Sequence, residues 1–314
     1  MSKHNKSYLL LKWIVLLAAY GFLGFKLLTY NNYVALFDQW KQGWLSHAPW
    51  LIMVFLLLPL NWLLETFKWQ FLLRNLEILS LKEAFRSVMI GNTAAFFTPN
   101  RLGEFPGRSI SLSKNKRLQG ITVGVLGSVS QTICIMLFGI PAALFFFIPH
   151  NPGLNNTLYD SLSILCFITL LGIYFFLPQL CKRWKSVKLF HRVDHLFESL
   201  THFSFKDLVV VLLFTIVRYF IFCFQLYCIL RFFEVILSPV DGIVAIATNY
   251  LFITFTPSLA FSEGAVRASV AVLVIGTYSS NIVGIAAAGL FVWLINFVFP
   301  MLVGSVLFAK KRNP

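Results

Sequence analysis

Six stretches of this chain carry almost no charge, and each is long enough to cross a bilayer: residues 8–29, 48–73, 119–148, 160–180, 207–232 and 283–308. A hydrocarbon core of about 30 Å needs about 20 apolar residues in one helix, and backbone groups inside lipid must find their hydrogen bonds within the segment. The expected fold is therefore an all-α polytopic membrane protein. The 314 residues are 58% hydrophobic and only 12% charged, with mean hydropathy +0.77, a balance foreign to soluble globular domains. The first stretch has no small-residue cleavage site before Lys26 and reads as a retained anchor rather than a secretory signal.

The net charge is +14, and its placement decides its meaning. Lysines and arginines cluster in the N-terminal tail, around 74–86, at 114–117, across 182–206 and at 310–312. With both termini cytoplasmic, these 18 residues all face inward and only Lys26, Lys41 and Arg231 face outward, as the positive-inside rule requires. The basic balance is thus a topology and anionic-lipid signal; nucleic acid is not an expected partner. The five cysteines form no CxxC pair and are odd in number, which argues against a disulfide framework. All six histidines fall in tails, loops or the linker, so no metal site and no cofactor are expected.

Along the chain, 1–47 reads as the first span followed by an amphipathic helix on the outer interface, with Tyr33, Leu36, Phe37, Trp40 and Trp44 on one face. Residues 48–180 form a first repeat unit, 181–206 a basic cytoplasmic linker and 207–314 a second unit. Within the units, 83–112 and 241–276 are apolar enough for the membrane yet interrupted by proline and charge. Their halves are too short to span alone, so each is expected to be a re-entrant hairpin of broken helices, allowed where protein or a polar cavity surrounds it.

With two single-residue insertions, the interrupted regions of the two units match at a series of polar and proline positions. Arg74 and Glu77 correspond to Arg231 and Glu234. Both units then run through Ile-Leu-Ser to an acidic residue (Glu83, Asp241), on to Phe-Thr-Pro with Pro99 or Pro257, and end in Glu-x3-Arg: Glu104 and Arg108, Glu263 and Arg267. Three crossings separate the unit-initial spans, so the units are expected to be inverted. Inverted repeats with broken helices are a hallmark of alternating-access transporters.

Charges at membrane depth are costly and face a polar interior with partners. Arg101, Glu104, Arg108, Glu263 and Arg267 are the candidate substrate-binding set, with Pro99, Pro257, Gly103 and Gly264 as hairpin breakers. Each Glu–Arg pair is spaced for one helix face. Arginine grips phosphate through paired hydrogen bonds, so a lipid with an anionic headgroup is the candidate ligand. The residues leave a second reading open, in which each pair only neutralises itself and pins its hairpin. Glu65 and Lys68 read as an internal ion pair, Arg218 has no partner that the sequence identifies, and Asn61, Asn92 and Asn249 either line a polar path or bond across helices.

Thr98-Pro-Asn-Arg-Leu-Gly-Glu-Phe-Pro-Gly-Arg108, followed by Thr256-Pro-x5-Glu-Gly-Ala-Val-Arg267, resembles the lysylphosphatidylglycerol synthase transmembrane-region family of flippase-like proteins. The second motif departs from the usual glycine-rich form. The resemblance implies a membrane portion that moves lipids between leaflets, sometimes fused to a soluble aminoacylating domain. The chain ends three residues after Lys311, so the expectation is the translocase portion without the synthase.

The expected function is therefore a lipid translocase of the bacterial inner membrane, with an anionic, aminoacylated or polyprenyl-phosphate-linked lipid as cargo and no catalytic residue. No GxxxxGK[ST] loop for direct ATP coupling occurs. The alternatives are an intramembrane transferase with Glu104 or Glu263 as general base, and a non-catalytic partner of a lipid-biosynthetic enzyme.

Overall fold

The computed structural model describes residues 17, 20–29, 33–147, 156–185, 194–258 and 260–309, and all regular elements among them are helical. In chain order these are α1 (Tyr33–Leu73), α2 (Leu81–Phe96), α3 (Glu104–Ser109), α4 (Arg117–Phe147), α5 (Asn156–Lys185), α6 (Asp194–Thr201), α7 (Phe205–Phe232), α8 (Pro239–Phe255), α9 (Ala260–Ile275), α10 (Ile282–Trp293) and α11 (Phe299–Ala309). A π-helical turn, Leu294–Val298, joins α10 to α11.

Five segments among the described residues are long and apolar enough to cross a membrane: Leu45–Leu73, Lys114–Phe147, Asp160–Arg183, Phe205–Phe232 and Ile282–Ala309. They lie within a few residues of five of the expected spans. The expected first span, 8–29, lies mostly outside the described residues. The chain is a multi-pass membrane protein. Its burial pattern agrees: Ile52, Phe55, Leu56 and Phe67 of α1 are exposed, whereas Asn61, Glu65 and Lys68 of the same helix are buried.

One expectation changes. The interfacial helix is not a separate element, because the helix that begins at Tyr33 continues without interruption through Pro49 to Leu73. A proline removes one backbone donor and crowds one carbonyl, and in long membrane helices neighbouring groups re-satisfy the freed oxygen. Pro49 alone therefore does not end the helix. Of the expected basic linker, 186–193 lies outside the described residues; 181–185 end α5, and the rest forms α6, the turn after it and the start of α7.

The Ile-Leu-Ser-x-x-acid repeat is a helix start used twice. Ser80 and Ser238 are N-caps whose hydroxyls accept from the backbone N–H of Glu83 and Asp241. The Glu83 carboxylate accepts in turn from the Ser80 backbone N–H at 2.9 Å, closing a capping box. Ser204 and Asp207 repeat the device at the start of α7. Two of these caps begin the first arms of the interrupted segments, and each arm ends at its Phe-Thr-Pro motif.

The first interrupted segment folds back on itself. Gly91 and Gly107 face each other so closely that a Cβ on Gly107 would lie 2.6 Å from the Ala94 Cβ and 3.0 Å from the Gly91 Cα. A side chain at either position would push α3 off α2. Packing between the units is reciprocal. The span after the first hairpin, α4, packs on the first arm of the second, α8; the span after the second hairpin, α10–α11, packs through α11 on the first arm of the first, α2. The spans that precede the hairpins, α1 and α7, pack on each other.

Candidate functional site

Once 18 lysines and arginines are assigned to one face and three to the other, the 26 in the sequence leave five: Lys68, Arg101, Arg108, Arg218 and Arg267. All five line one cavity of about 400 Å³, walled by α1, both interrupted segments, α4, α7 and the π turn. Glu65, Glu104 and Glu263 line it as well. Five cations against three carboxylates leave a formal excess of two positive charges.

The hub is Glu65, which is 4% exposed. Its carboxylate accepts from Lys68 Nζ at 2.8 Å, Arg108 Nη1 at 2.6 Å and Arg218 Nη1 at 2.5 Å. Lys68 lies one turn along α1, Arg108 comes from α3 and Arg218 from α7, so one side chain ties three elements together. Arg218 also donates from Nε to Asn61 Oδ1 at 2.7 Å and from Nη1 to Gln131 Oε1 at 2.9 Å. These are the partners that the sequence could not supply, and Glu65, Lys68 and Arg218 are the charged cavity residues that the expected site omitted. Asn61 extends the network by donating to Asn296 Oδ1 at 3.3 Å.

Arg108 is held through both terminal nitrogens and its backbone carbonyl, while its buried Nε has no hydrogen-bond partner among the described residues. Its Nη2 donates to Glu104 Oε1 within its own short helix, and its backbone carbonyl accepts from Ser87 Oγ at 2.7 Å, a hydroxyl that itself accepts from Trp69 Nε1 at 2.9 Å. Glu104 has a second, looser cation, Arg101 Nη2 at 3.6 Å. In the other unit Glu263 and Arg267 pair on one face of α9, with Arg267 donating from Nε and Nη2 to the same oxygen at 3.2 and 2.9 Å.

The hairpin tips converge at the cavity. Asn100 and Arg101 both adopt left-handed backbone, with φ of 49° and 61°, a conformation that is sparsely populated for residues other than glycine. Two such residues in succession cost on the order of 1–3 kcal/mol each. The Gly103 N–H, donated to Thr98 Oγ1 at 2.7 Å, holds the turn. A Cβ at Gly103 would lie 2.5 Å from the Ala94 carbonyl oxygen, and one at Gly264 would lie 3.1 Å from the Trp293 ring. Pro257 lines the cavity; the Pro99 side chain lies outside the described set, as does Leu259, which stands near the place where the second unit has no counterpart of Arg101.

From that turn Arg101 reaches the Phe297 ring, 4.2 Å from guanidinium carbon to centroid, and Arg267 stands at 4.2 Å from the same centroid. The two guanidinium carbons are therefore at most twice that distance apart. Phe297 sits in the π turn, where one extra residue per turn reorients the side chains relative to a regular α-helix. The Asn100 N–H also points to the Ser258 carbonyl oxygen at 3.5 Å. Arginines from both interrupted segments thus meet on one aromatic ring, beside a contact between the two tips. Asn92 lines the cavity, while Asn249 is buried and its Oδ1 has no protein partner.

Chemically, the cavity offers guanidinium donors in a low-dielectric setting, neutral donors such as Gln131 and Asn92, and an excess of positive charge, the equipment of an anion site. Among the described residues no group of three or more His, Cys, Asp or Glu side chains could hold a metal ion.

Comparison with curated proteins and comparison with solved structures each gave no significant match. The family model described as "Lysylphosphatidylglycerol synthase TM region" matches residues 10–304. That match takes in both interrupted segments and every charged residue of the cavity, and so the chain belongs to the lysylphosphatidylglycerol synthase TM-region family.

Proposed function

We propose that the protein is a lipid translocase of the bacterial inner membrane, which carries lipids with anionic headgroups between leaflets by alternating access. One observation carries this reading: the five lysines and arginines that topology does not account for all line a single cavity between the two interrupted segments. Charge at membrane depth marks a substrate path, and cavities where broken helices meet are where transporters bind cargo. The reciprocal packing of spans and hairpins supports two inverted units, each with one re-entrant hairpin, and the charge distribution supports cytoplasmic termini.

In this mechanism the cavity holds the headgroup while the acyl chains stay in lipid along the apolar outer faces. Arg101 and Arg267, one from each unit, grip the phosphate across the Phe297 ring. Glu104 and Glu263 hold the arginines in the empty state and release them to the anion, which replaces one charge-assisted hydrogen bond by another. Glu65 anchors Arg108 and Arg218 throughout. Separation of the Asn100 and Ser258 tips accompanies the change of access.

The test is leaflet exchange of headgroup-labelled lipids in proteoliposomes carrying wild type, Glu104→Gln or Arg108→Ala, with mass spectrometry on the same samples. Fast exchange with wild type, loss in both variants and chemically unaltered lipid are expected. Chemical conversion of the lipid would identify an intramembrane transferase instead. Variants that exchange as fast as wild type would reduce the charged segments to structural pins.

A further inference from the structure

The cavity charges do not balance, and the imbalance is local. Around Glu65 and Glu104 stand four cations: Lys68, Arg108 and Arg218 on the first carboxylate, Arg108 again and Arg101 on the second. Glu263 and Arg267 balance each other. The whole surplus of two positive charges therefore lies on the side of the first hairpin. Among the described residues no other Asp, Glu, Lys or Arg lines the cavity.

A surplus of this kind is unfavourable in a membrane interior unless cargo or counterions compensate it. Arg101 is the least engaged of the cations: its side chain is 33% exposed and its carboxylate contact is 3.6 Å long. Its backbone is left-handed at φ 61°, so the fold bears strain to keep this guanidinium at the cavity.

We infer that the cargo headgroup is a phosphate bearing two negative charges, a lipid phosphomonoester, rather than a singly charged phosphodiester or a cationic aminoacylated lipid. This rests on the translocase reading and narrows it. A dianion cancels the surplus of two, a monoanionic diester leaves one positive charge uncompensated, and a headgroup with an added lysyl amine increases the repulsion. Discrimination between successive members of this charge ladder is on the order of tenfold, from one unit charge at several ångströms in a medium of intermediate dielectric.

The experiment uses the full chain in proteoliposomes at about pH 7.5, where a phosphomonoester is doubly ionised because its second pKa lies near 6. Phosphatidic acid and a polyprenyl monophosphate, labelled in their acyl or prenyl chains so that the phosphate keeps both charges, are compared with phosphatidylglycerol and lysyl-phosphatidylglycerol labelled likewise for exchange rate, and entrapped inorganic pyrophosphate for release. The expected order is both dianionic lipids first, phosphatidylglycerol about tenfold slower and the lysyl lipid slowest, with pyrophosphate retained.

Two variants lower the surplus from two to one by different routes: Arg101→Gln removes a cation, and Asn92→Asp adds an anion at another wall. Both are expected to narrow the preference for dianions over phosphatidylglycerol about tenfold, whereas a general folding defect would slow all lipids alike. Equal or faster exchange of phosphatidylglycerol or the lysyl lipid by wild type overturns this inference and leaves the translocase standing, as does an unchanged preference in both variants. Release of pyrophosphate without lipid exchange overturns the lipid as the source of the phosphate. Exchange of no lipid overturns the translocase reading and this inference with it.

Discussion

Arg108 and Glu65, 43 positions apart in the chain, meet at 2.6 Å between Nη1 and Oε1, and both are about one-twentieth exposed. The contact joins the second helix-half of the first hairpin to the C-terminal part of α1. Breaking a buried ion pair leaves an uncompensated charge, typically at a cost of about 3–5 kcal/mol. Glu65 has three cationic partners, and its loss leaves Lys68 and Arg218 without a carboxylate and Arg108 with Glu104 alone. Glu65→Ala is expected to destabilise the protein by at least about 3 kcal/mol, read as thermal unfolding in nanodiscs. Adding Lys68→Met, which removes one stranded cation, is expected to recover part of the loss; an additive double variant would contradict the hub.

The approach of α11 to α2 depends on a missing side chain. A Cβ at Gly304 would collide with the Met89 carbonyl oxygen and with Thr93 Oγ1, and that hydroxyl donates to the Met301 carbonyl at 2.9 Å. Backbone cannot yield as a flexible side chain can, so Gly304→Ala is expected to cost about 1–3 kcal/mol as overpacking. A Cβ at Gly172 would meet nothing within 4 Å, so Gly172→Ala is the control, neutral or slightly stabilising through helix propensity.

Phe297→Leu removes the ring shared by Arg101 and Arg267. Each cation–π contact contributes roughly 0.5–2 kcal/mol, so lipid exchange is expected to slow several-fold with little change in melting temperature. Phe297→Tyr, which keeps a π face, is expected to exchange as wild type does. Equal slowing by both would show that ring shape, rather than its attraction for the arginines, matters.

At the exposed start of α2, hydrogen bonds from the Ser80 hydroxyl and backbone N–H hold the Glu83 carboxyl below its usual value of 4.5. A carboxylate whose pKa is depressed on folding stabilises the fold above its unfolded pKa, and that contribution is lost as pH falls through the folded value. Melting temperature is therefore expected to fall with acidification below about pH 4.5, less steeply in Ser80→Ala. That variant also loses the hydroxyl cap, at about 1 kcal/mol at neutral pH. Parallel acid limbs in the two proteins would contradict the capping box as the cause.

Much of this architecture is legible in the sequence because membrane physics writes in long, coarse signals. Five apolar runs became spans within a few residues, and the Ile-Leu-Ser-x-x-acid and Phe-Thr-Pro repeats marked where the interrupted helices start and break. What stayed hidden was lateral. Glu65 and Lys68, spaced i, i+3, read as a closed pair because spacing cannot show that Arg108 and Arg218 reach the same carboxylate from other elements. The missing signal lies in a count of charges: lysines and arginines belonging to neither face of the membrane are the cavity set. The π turn left no readable mark, so Phe297 could not be singled out among 34 phenylalanines.

In the proposed mechanism a lipid headgroup passes through the cavity as the two hairpin tips part. Asn100 and Ser258, whose backbones meet at 3.5 Å, provide the lock. With the five native cysteines replaced, Asn100→Cys and Ser258→Cys are combined and leaflet exchange of a labelled anionic lipid is measured before oxidation, after it and after reduction. The cross-link is expected to abolish exchange, and a reductant to restore it. Undiminished exchange in fully cross-linked protein would contradict the mechanism.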